Sequence, residues 1–363
     1  MKETYKCIGC GIELQTEDEN KLGYIKKEIL DKYLLNNDNP TNKEILCQRC
    51  FKIKHYNDYS NYVISYKELT KIINKINKEN NLVIYIIDVL NLDFSYLNKF
   101  INKDIVIILN KRDLLPKSIN DNKLINYLKK EIKKQNTNNN KILEIIVNSN
   151  KKLDISKEIL DKLLLKYKKY KNIYITGLAN SGKSSLINNL ISILYNKRNT
   201  ITTSKISGTT IDLIKIPLNN YRFLIDTPGY LSKNNFVKYL NFKEQLKSIP
   251  DKTIKPKIYQ LETSQSLIID NFLILNYLEG TIKSFTLYFN NNLNIQRSKL
   301  ENLSKHINFD NYQKFKKNII ELKEDKKYNI ILNSLGIISF EGKGKIEILT
   351  FEEMEILINE PFI

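Results

Sequence analysis

Gly177-Leu-Ala-Asn-Ser-Gly182-Lys183-Ser184 sets two glycines, a lysine and a serine at fixed spacing. An apolar run, Asn172–Thr176, precedes it, and a helical stretch over 185–194 follows. In that strand–loop–helix context the glycines let backbone N–H groups curl around phosphate oxygens. Lys183 would neutralise β- and γ-phosphates and Ser184 would ligate Mg²⁺, with Asn180, Ser181 and Ser185 in the same loop. Downstream lies the polar stretch Ser207-Gly-Thr209-Thr210. One of these threonines should complete the Mg²⁺ shell, and Thr210 is the favoured one. Asp226-Thr-Pro-Gly229 then closes the apolar run Tyr221–Ile225. Asp226 would hold Mg²⁺ directly or through water, and the Gly229 N–H would face a γ-phosphate.

The base is read earlier in the chain. Asn110-Lys111-Arg112-Asp113 follows the apolar run Ile105–Leu109, and the pattern Asn-Lys-x-Asp occurs once. A carboxylate there accepts hydrogen bonds from guanine N1–H and the 2-amino group. Adenine offers neither donor, so the buried carboxylate would stay unpaired and guanine is selected. After a further run, 142–147, comes Asn148-Ser149-Asn150-Lys151, where a backbone N–H could support guanine O6. The base-reading loops therefore precede the phosphate loop. A sheet can keep its strands in place while its ends are joined and the chain is cut elsewhere. The amphipathic stretch 154–171, with Ile155, Ile159, Leu163 and Tyr167 at helical spacing, would be that join. The segment after Asp226 then leads directly into the C-terminal part, so GTP-driven ordering there would reposition residues 236–363.

These loops need a scaffold. Leu82–Asp88, 105–109, 142–147, 172–176 and 221–225 read as buried parallel strands separated by amphipathic helices. The predicted architecture is an α/β phosphate-loop domain in circularly permuted order over 61–235. A metal-binding module over 1–60 precedes it, and a smaller α+β domain over 236–363 follows.

All four cysteines fall in two pairs, Cys7-Ile-Gly-Cys10 and Cys47-Gln-Arg-Cys50. Two such turns present four thiolates to one tetrahedral Zn²⁺ and leave no open position, so the metal would be structural. Two disulfides or a redox pair would use the same residues; a reducing compartment favours zinc. His55 follows closely, but four thiolates leave it no place in the shell. Met1 is too close to Cys7 for a secretory leader, and no run of about 18 apolar residues occurs. The chain is expected in the cytoplasm.

The formal net charge is +18, from 58 basic and 40 acidic residues. Residues 61–235 carry 30 basic and 14 acidic side chains, whereas 1–60 balance. A polyanion such as RNA suits this surface, although a sequence so rich in Lys, Asn and Ile would be basic in any case.

The permuted motif order, Cys7-Ile-Gly-Cys-Gly11, Gln15-Thr-Glu-Asp18, Gly23-Tyr24, Cys47-Gln-Arg-Cys-Phe51 and His55-Tyr-Asn57 resemble the YqeH family of circularly permuted GTPases. The C-terminal part resembles it less. Ile337 stands where that family's closing stretch has Trp, Gln296 replaces a His, and Asp270-Asn271 replaces paired glycines. The resemblance implies a GTPase that assists small-subunit ribosome assembly. It also implies a K⁺ ion held by Asn180, since Tyr230 replaces the catalytic Gln. Lys183, Asn180, Thr210 and Gly229 would then stabilise the transition state.

In the C-terminal part, Lys255–Leu261 and Ser284–Phe289 alternate like half-exposed strands, and Leu300 to about Lys317 reads as partly helical. Lys255, Lys257, Arg297 and Lys299 would face RNA or simply solvent. Gly342-Lys-Gly-Lys345 reads as a hairpin turn. Two other functions share parts of this pattern. One is an RNA-binding adaptor holding GTP or GDP without turnover. The other is a phosphate-loop kinase or ATPase, against which Asn110 and Asp113 argue.

Overall fold

The computed structural model describes residues 5, 13–17, 19, 23–35, 45–48, 66–149, 151–197, 204–205, 213–230, 240, 242–305, 315–352 and 354–363. The chain divides into two compact units, Met1–Tyr62 and Val63–Ile363.

In the first unit, helix α1 (Lys27–Leu35) follows a small knot of backbone bonds. Ile25 N–H donates to Gln15 O, and Gln48 N–H donates to Tyr24 O. Gly23, at φ 84°, makes the turn that brings these segments together. Ile25, Ile45 and Cys47 are buried. Cys7, Cys10, Cys50 and His55 lie outside the described residues, so the proposed zinc site is represented by Cys47 alone.

The second unit is built on a seven-stranded sheet in the order β3-β2-β1-β4-β7-β6-β5. Its strands are β1 (Leu82–Asp88), β2 (Asp104–Asn110), β3 (Lys141–Val147), β4 (Asn172–Gly177), β5 (Ser204–Lys205), β6 (Ile214–Pro217) and β7 (Phe223–Asp226). The first four and β7 are mutually parallel, and β5–β6–β7 is antiparallel. Strand β1 reads as a continuous apolar run because both of its faces are covered. Val83, Tyr85 and Ile87 enter one core with helices α2 (Tyr66–Lys78) and α3 (Asp121–Gln135). Leu82, Ile84 and Ile86 enter the opposite core with helices α4 (Leu153–Asp161) and α5 (Lys183–Lys197). Strand β3, at the sheet edge, is mostly half-buried rather than buried as its sequence suggests.

The join over 154–171 is shorter than its periodicity implies. α4 runs into a π-helical turn at Lys162–Lys166 and ends there. The cause is Arg222, which sequence periodicity does not reveal. Its buried guanidinium donates to the carbonyls of Leu163, Tyr167 and Tyr170, at 2.6, 2.9 and 3.0 Å. A cation at a helix C-terminus satisfies carbonyls that have lost their helical donors.

Among the described residues the C-terminal part is mostly strand, with less helix than the α+β domain expected. Ten strands, β8 to β17, accompany the seven-residue helix α6 (Phe242–Ser248) and a 3₁₀ segment at Leu300–Lys305 among the described residues. One sheet has the order β12-β9-β10-β16-β13, with β12 (Ile295–Lys299), β9 (Gln265–Ile269), β10 (Leu273–Gly280), β16 (Gly344–Phe351) and β13 (Phe315–Leu322). The other has the order β17-β14-β15-β11-β8, with β17 (Ile356–Asn359), β14 (Lys327–Leu332), β15 (Gly336–Glu341), β11 (Ser284–Phe289) and β8 (Lys257–Gln260). Strands β8 and β11 alternate in burial as read from sequence. Phe315–Lys317, expected as helix, opens β13. Gly342–Lys345 is not a hairpin: β15 and β16 lie in different sheets, and the glycines carry the chain between them at φ 136° and 156°. Asp270 adopts φ 43°, a left-handed turn conformation that Asp tolerates better than most residues.

The second of these sheets completes the core on one face of the parallel sheet rather than standing apart. Ile254, Ile331, Ile337 and Phe362 are buried with β1, α2 and α3. Phe362 stacks on Tyr127 of α3 at 4.4 Å. Ser334 N–H donates to Leu90 O, and Asn91 donates to the Ser334 hydroxyl at 2.8 Å.

Candidate functional site

The phosphate loop spans the end of β4 and the start of α5. Gly177 sits tight on β1, where a Cβ would come 2.6 Å from Ile86 O. Asn180 and Gly182 take φ 65° and 86°, turning successive N–H groups inward ahead of the helix N-terminus. Lys183 is buried, and its Nζ lies 3.1 Å from Asp226 Oδ1 at the end of β7. Ser184 and Ser185 are exposed on the first turn of α5. The Asn180 Oδ1 and Ser181 Oγ atoms are buried without a hydrogen-bond partner among the described residues. An uncompensated buried oxygen is costly, and a bound ligand or cation would relieve it. Gly229 packs against Ala179, where a Cβ would meet its Cα at 3.1 Å. Thr209 and Thr210 lie outside the described residues.

The base-reading loops are wired differently. Asn110, fully buried at the end of β2, donates to Ser181 O at 2.8 Å and accepts from Asn148 Nδ2 at 2.9 Å. One side chain thus joins the 110–113, 148–149 and phosphate loops. Lys111 turns the chain at φ 61° and pairs with Asp88 at 2.6 Å. Asp88, the last residue of β1, also caps Leu90 N–H. Arg112 donates to the carbonyls of Leu115 and Pro116 and pairs with Asp121, fixing the loop to the start of α3. The Asp113 carboxylate accepts from the Ser149 hydroxyl at 2.8 Å and pairs with Lys151 at 2.9 Å. Burial pushes its pKa up, but the hydrogen bonds from Lys151 and Ser149 outweigh that and hold it below the ordinary value. Sequence reading named Asn110, Lys111, Asp113 and Ser149, and these are brought together. It missed the supporting roles of Asp88, Asn148 and Lys151. Each stood at a strand end or within a quoted motif, which was the available signal.

Tyr230 is placed by its surroundings. Its side chain is buried, donates to the Tyr85 hydroxyl at 2.9 Å and packs on Tyr96 with ring centres 3.8 Å apart. Burial drives its pKa well above the ordinary value, so it stays neutral. Its backbone carbonyl accepts from Ala179 N–H, which ties the segment after Gly229 to the phosphate loop. The hydroxyl is spent in the core and does not orient water.

Residues 172–333 match the family described as 50S ribosome-binding GTPase, so the chain carries a GTPase domain. Over 361 residues it is 30% identical to "Uncharacterized protein YqeH" of Bacillus subtilis, covering 94% of each chain. It is 26% identical over 247 residues to NO-associated protein 1 of Arabidopsis thaliana, covering 61% of this chain and 43% of that one. An 83-residue stretch is 37% identical to the tRNA modification GTPase MnmE of Malacoplasma penetrans, covering 22% of this chain and 18% of that one. No helix among the described residues is long and apolar enough to cross a membrane.

Proposed function

This chain belongs to the YqeH family, and we propose that it binds and hydrolyses GTP as a switch in assembly of the small ribosomal subunit. The observation that carries the base choice is the Asn110 bridge to Ser181 and Asn148, beside an Asp113 carboxylate kept ionised. Two acceptor oxygens held at that depth suit guanine N1–H and N2–H₂ and reject adenine. Asn110, Lys111, Asp113 and Ser149 form the base pocket. Gly177, Ser181, Gly182, Lys183 and Ser185 form the phosphate cradle.

Mg²⁺ fits the residues present. Asp226 and the first-turn Ser184 supply hard oxygen donors beside Lys183, and Thr209 or Thr210 would add another. Bound there, the ion neutralises charge on the β- and γ-phosphates. The chain's own contribution is positional. Lys183 supplies a fixed cation, the 180–183 N–H groups supply a preoriented cradle, and Gly229 presents an N–H beside it. K⁺ fits the unpartnered Asn180 oxygen. Its charge would stabilise the transition state and partly replace an arginine finger, while Tyr230 leaves the water-orienting Gln without a counterpart. Zn²⁺ on Cys7, Cys10, Cys47 and Cys50 would fold residues 1–60, a metal-coupled module ahead of the GTPase domain 61–235. The permuted order, with 154–171 as the join, and an RNA-facing surface on 236–363 complete this reading. We place its action in the cytoplasm.

Co-sedimentation with small ribosomal subunits tests the assembly role. Binding that differs between GDP and a non-hydrolysable GTP analogue is expected. Equal or absent binding in both would leave a GTPase domain without that role.

A further inference from the structure

The base-reading loop is held from outside by a short strap that no nucleotide-binding motif contains. Residues 251–254 lie between α6 and β8. The Thr253 hydroxyl donates to Asp113 O at 2.8 Å, and Ile254 N–H donates to Leu114 O at 2.8 Å. Ile254 itself is buried in the core beneath Leu114 and Leu115. Lys151, while paired with the Asp113 carboxylate, donates to Asp251 O at 3.1 Å. The strap is clamped in turn from the β11–β12 turn. Asn291 donates to Thr253 O at 3.0 Å and accepts from Lys255 N–H at 2.8 Å.

We infer that Thr253 and Ile254 are positioning residues for guanine recognition, setting the Asp113 carboxylate from the C-terminal β-structure. The inference rests on Asp113 reading the base, as proposed above. Two adjacent carbonyls, those of the base-reading residue and its neighbour, are fixed by donors from one strap. Without them the loop keeps its side-chain partners but loses its backbone anchor on that side. A bidentate carboxylate contact depends on placement to well under an ångström, so a loosened loop loses discrimination before it loses phosphate contacts. Thr253 is exposed, and water can replace its bond in part. Ile254 is the stronger anchor.

The test compares GDP with inosine diphosphate, which lacks the 2-amino group that Asp113 accepts from. The wild-type chain should prefer GDP. Ile254→Ala keeps its N–H but removes the side chain that seats the strap in the core, and should shrink that preference by about tenfold; Thr253→Val removes one hydrogen bond and should shrink it by about threefold. Thr253→Ser, which keeps the hydroxyl, should restore it. Thermal unfolding of each variant separates loss of fold from loss of discrimination. A merely structural role would weaken both nucleotides equally, and an unchanged preference in both variants overturns the inference. A wild-type chain that binds both nucleotides alike overturns the reading of Asp113, and the inference falls with it.

Discussion

The two halves of the nucleotide site are finished to different degrees by the protein itself. On the base side, Asn110, Asn148, Ser149 and Asp113 are joined to one another, and Lys111 and Arg112 are anchored to β1 and α3. On the phosphate side, Asn180 and Ser181 carry buried oxygens without partners among the described residues, and Lys183 pairs with Asp226. On the proposed reading, the first half is a preformed reader. The second is a cradle whose polar groups are completed by what binds in it. The base side also shares its hydrophobic core with the C-terminal sheet through Ile254, Ile331, Ile337 and Phe362. A nucleotide-driven shift of residues 236–363 as one body, as the permuted order suggests, would have to open this core. Motion confined to the connection after Gly229 would not.

That difference can be broken most severely on the phosphate side. Lys183→Ala should weaken GDP binding by about 100-fold, the scale of losing charge-assisted contacts, while leaving GDP preferred over ADP. Direct titration with both nucleotides reads each quantity. Exchanging K⁺ for Na⁺ should slow hydrolysis several-fold with GDP affinity nearly unchanged, because charge develops only at the bond being broken. Asn180→Ala should erase the difference between the salts; equal rates in the wild-type chain would count against a cation there.

Tyr230→Phe removes a buried hydroxyl bonded to Tyr85 and should cost about 1 kcal/mol of stability. Hydrolysis at saturating GTP should not change, since that hydroxyl faces the core. Glu144, on the base-side edge strand β3, is paired with Lys162 and Lys166 and accepts from Tyr167. Burial pushes its pKa up, but these partners prevail and bring it down from 4.5 to about 2. A depressed carboxyl contributes stability that is present above pH 4.5 and is lost as pH falls through about 2. Glu144→Gln should therefore cost about 1 kcal/mol near neutral pH after solvent screening, and nothing once the wild-type carboxyl is protonated. Urea unfolding at pH 7 and in strong acid measures both limits.

Much of this was legible in the sequence. The strands of the parallel sheet could be found because buried parallel strands read as unbroken apolar runs, and the motifs sat at their ends. What escaped has a common physical cause, long-range polar contact. Arg222 ends the 154–171 helix early through carbonyls more than 50 residues away. Lys151 was seen in its motif without a role, because its partner Asp113 is distant in sequence. In the C-terminal part Leu300–Lys305 is helical, as 3₁₀, but Phe315–Lys317 at the end of the same stretch open an edge strand, and Gly342–Lys345 resembles a hairpin while joining two sheets.

On the proposed reading, Asp113 recognises guanine from a pocket the protein builds unaided. Titration of Asp113→Asn with GDP and xanthosine diphosphate tests it directly. An amide donor meets the oxygen that xanthine carries in place of the guanine amino group. GDP affinity is expected to fall by about tenfold or more and xanthosine diphosphate affinity to rise, so that the order of preference reverses. Wild-type GDP affinity in this variant, with no gain for xanthosine diphosphate, would contradict it.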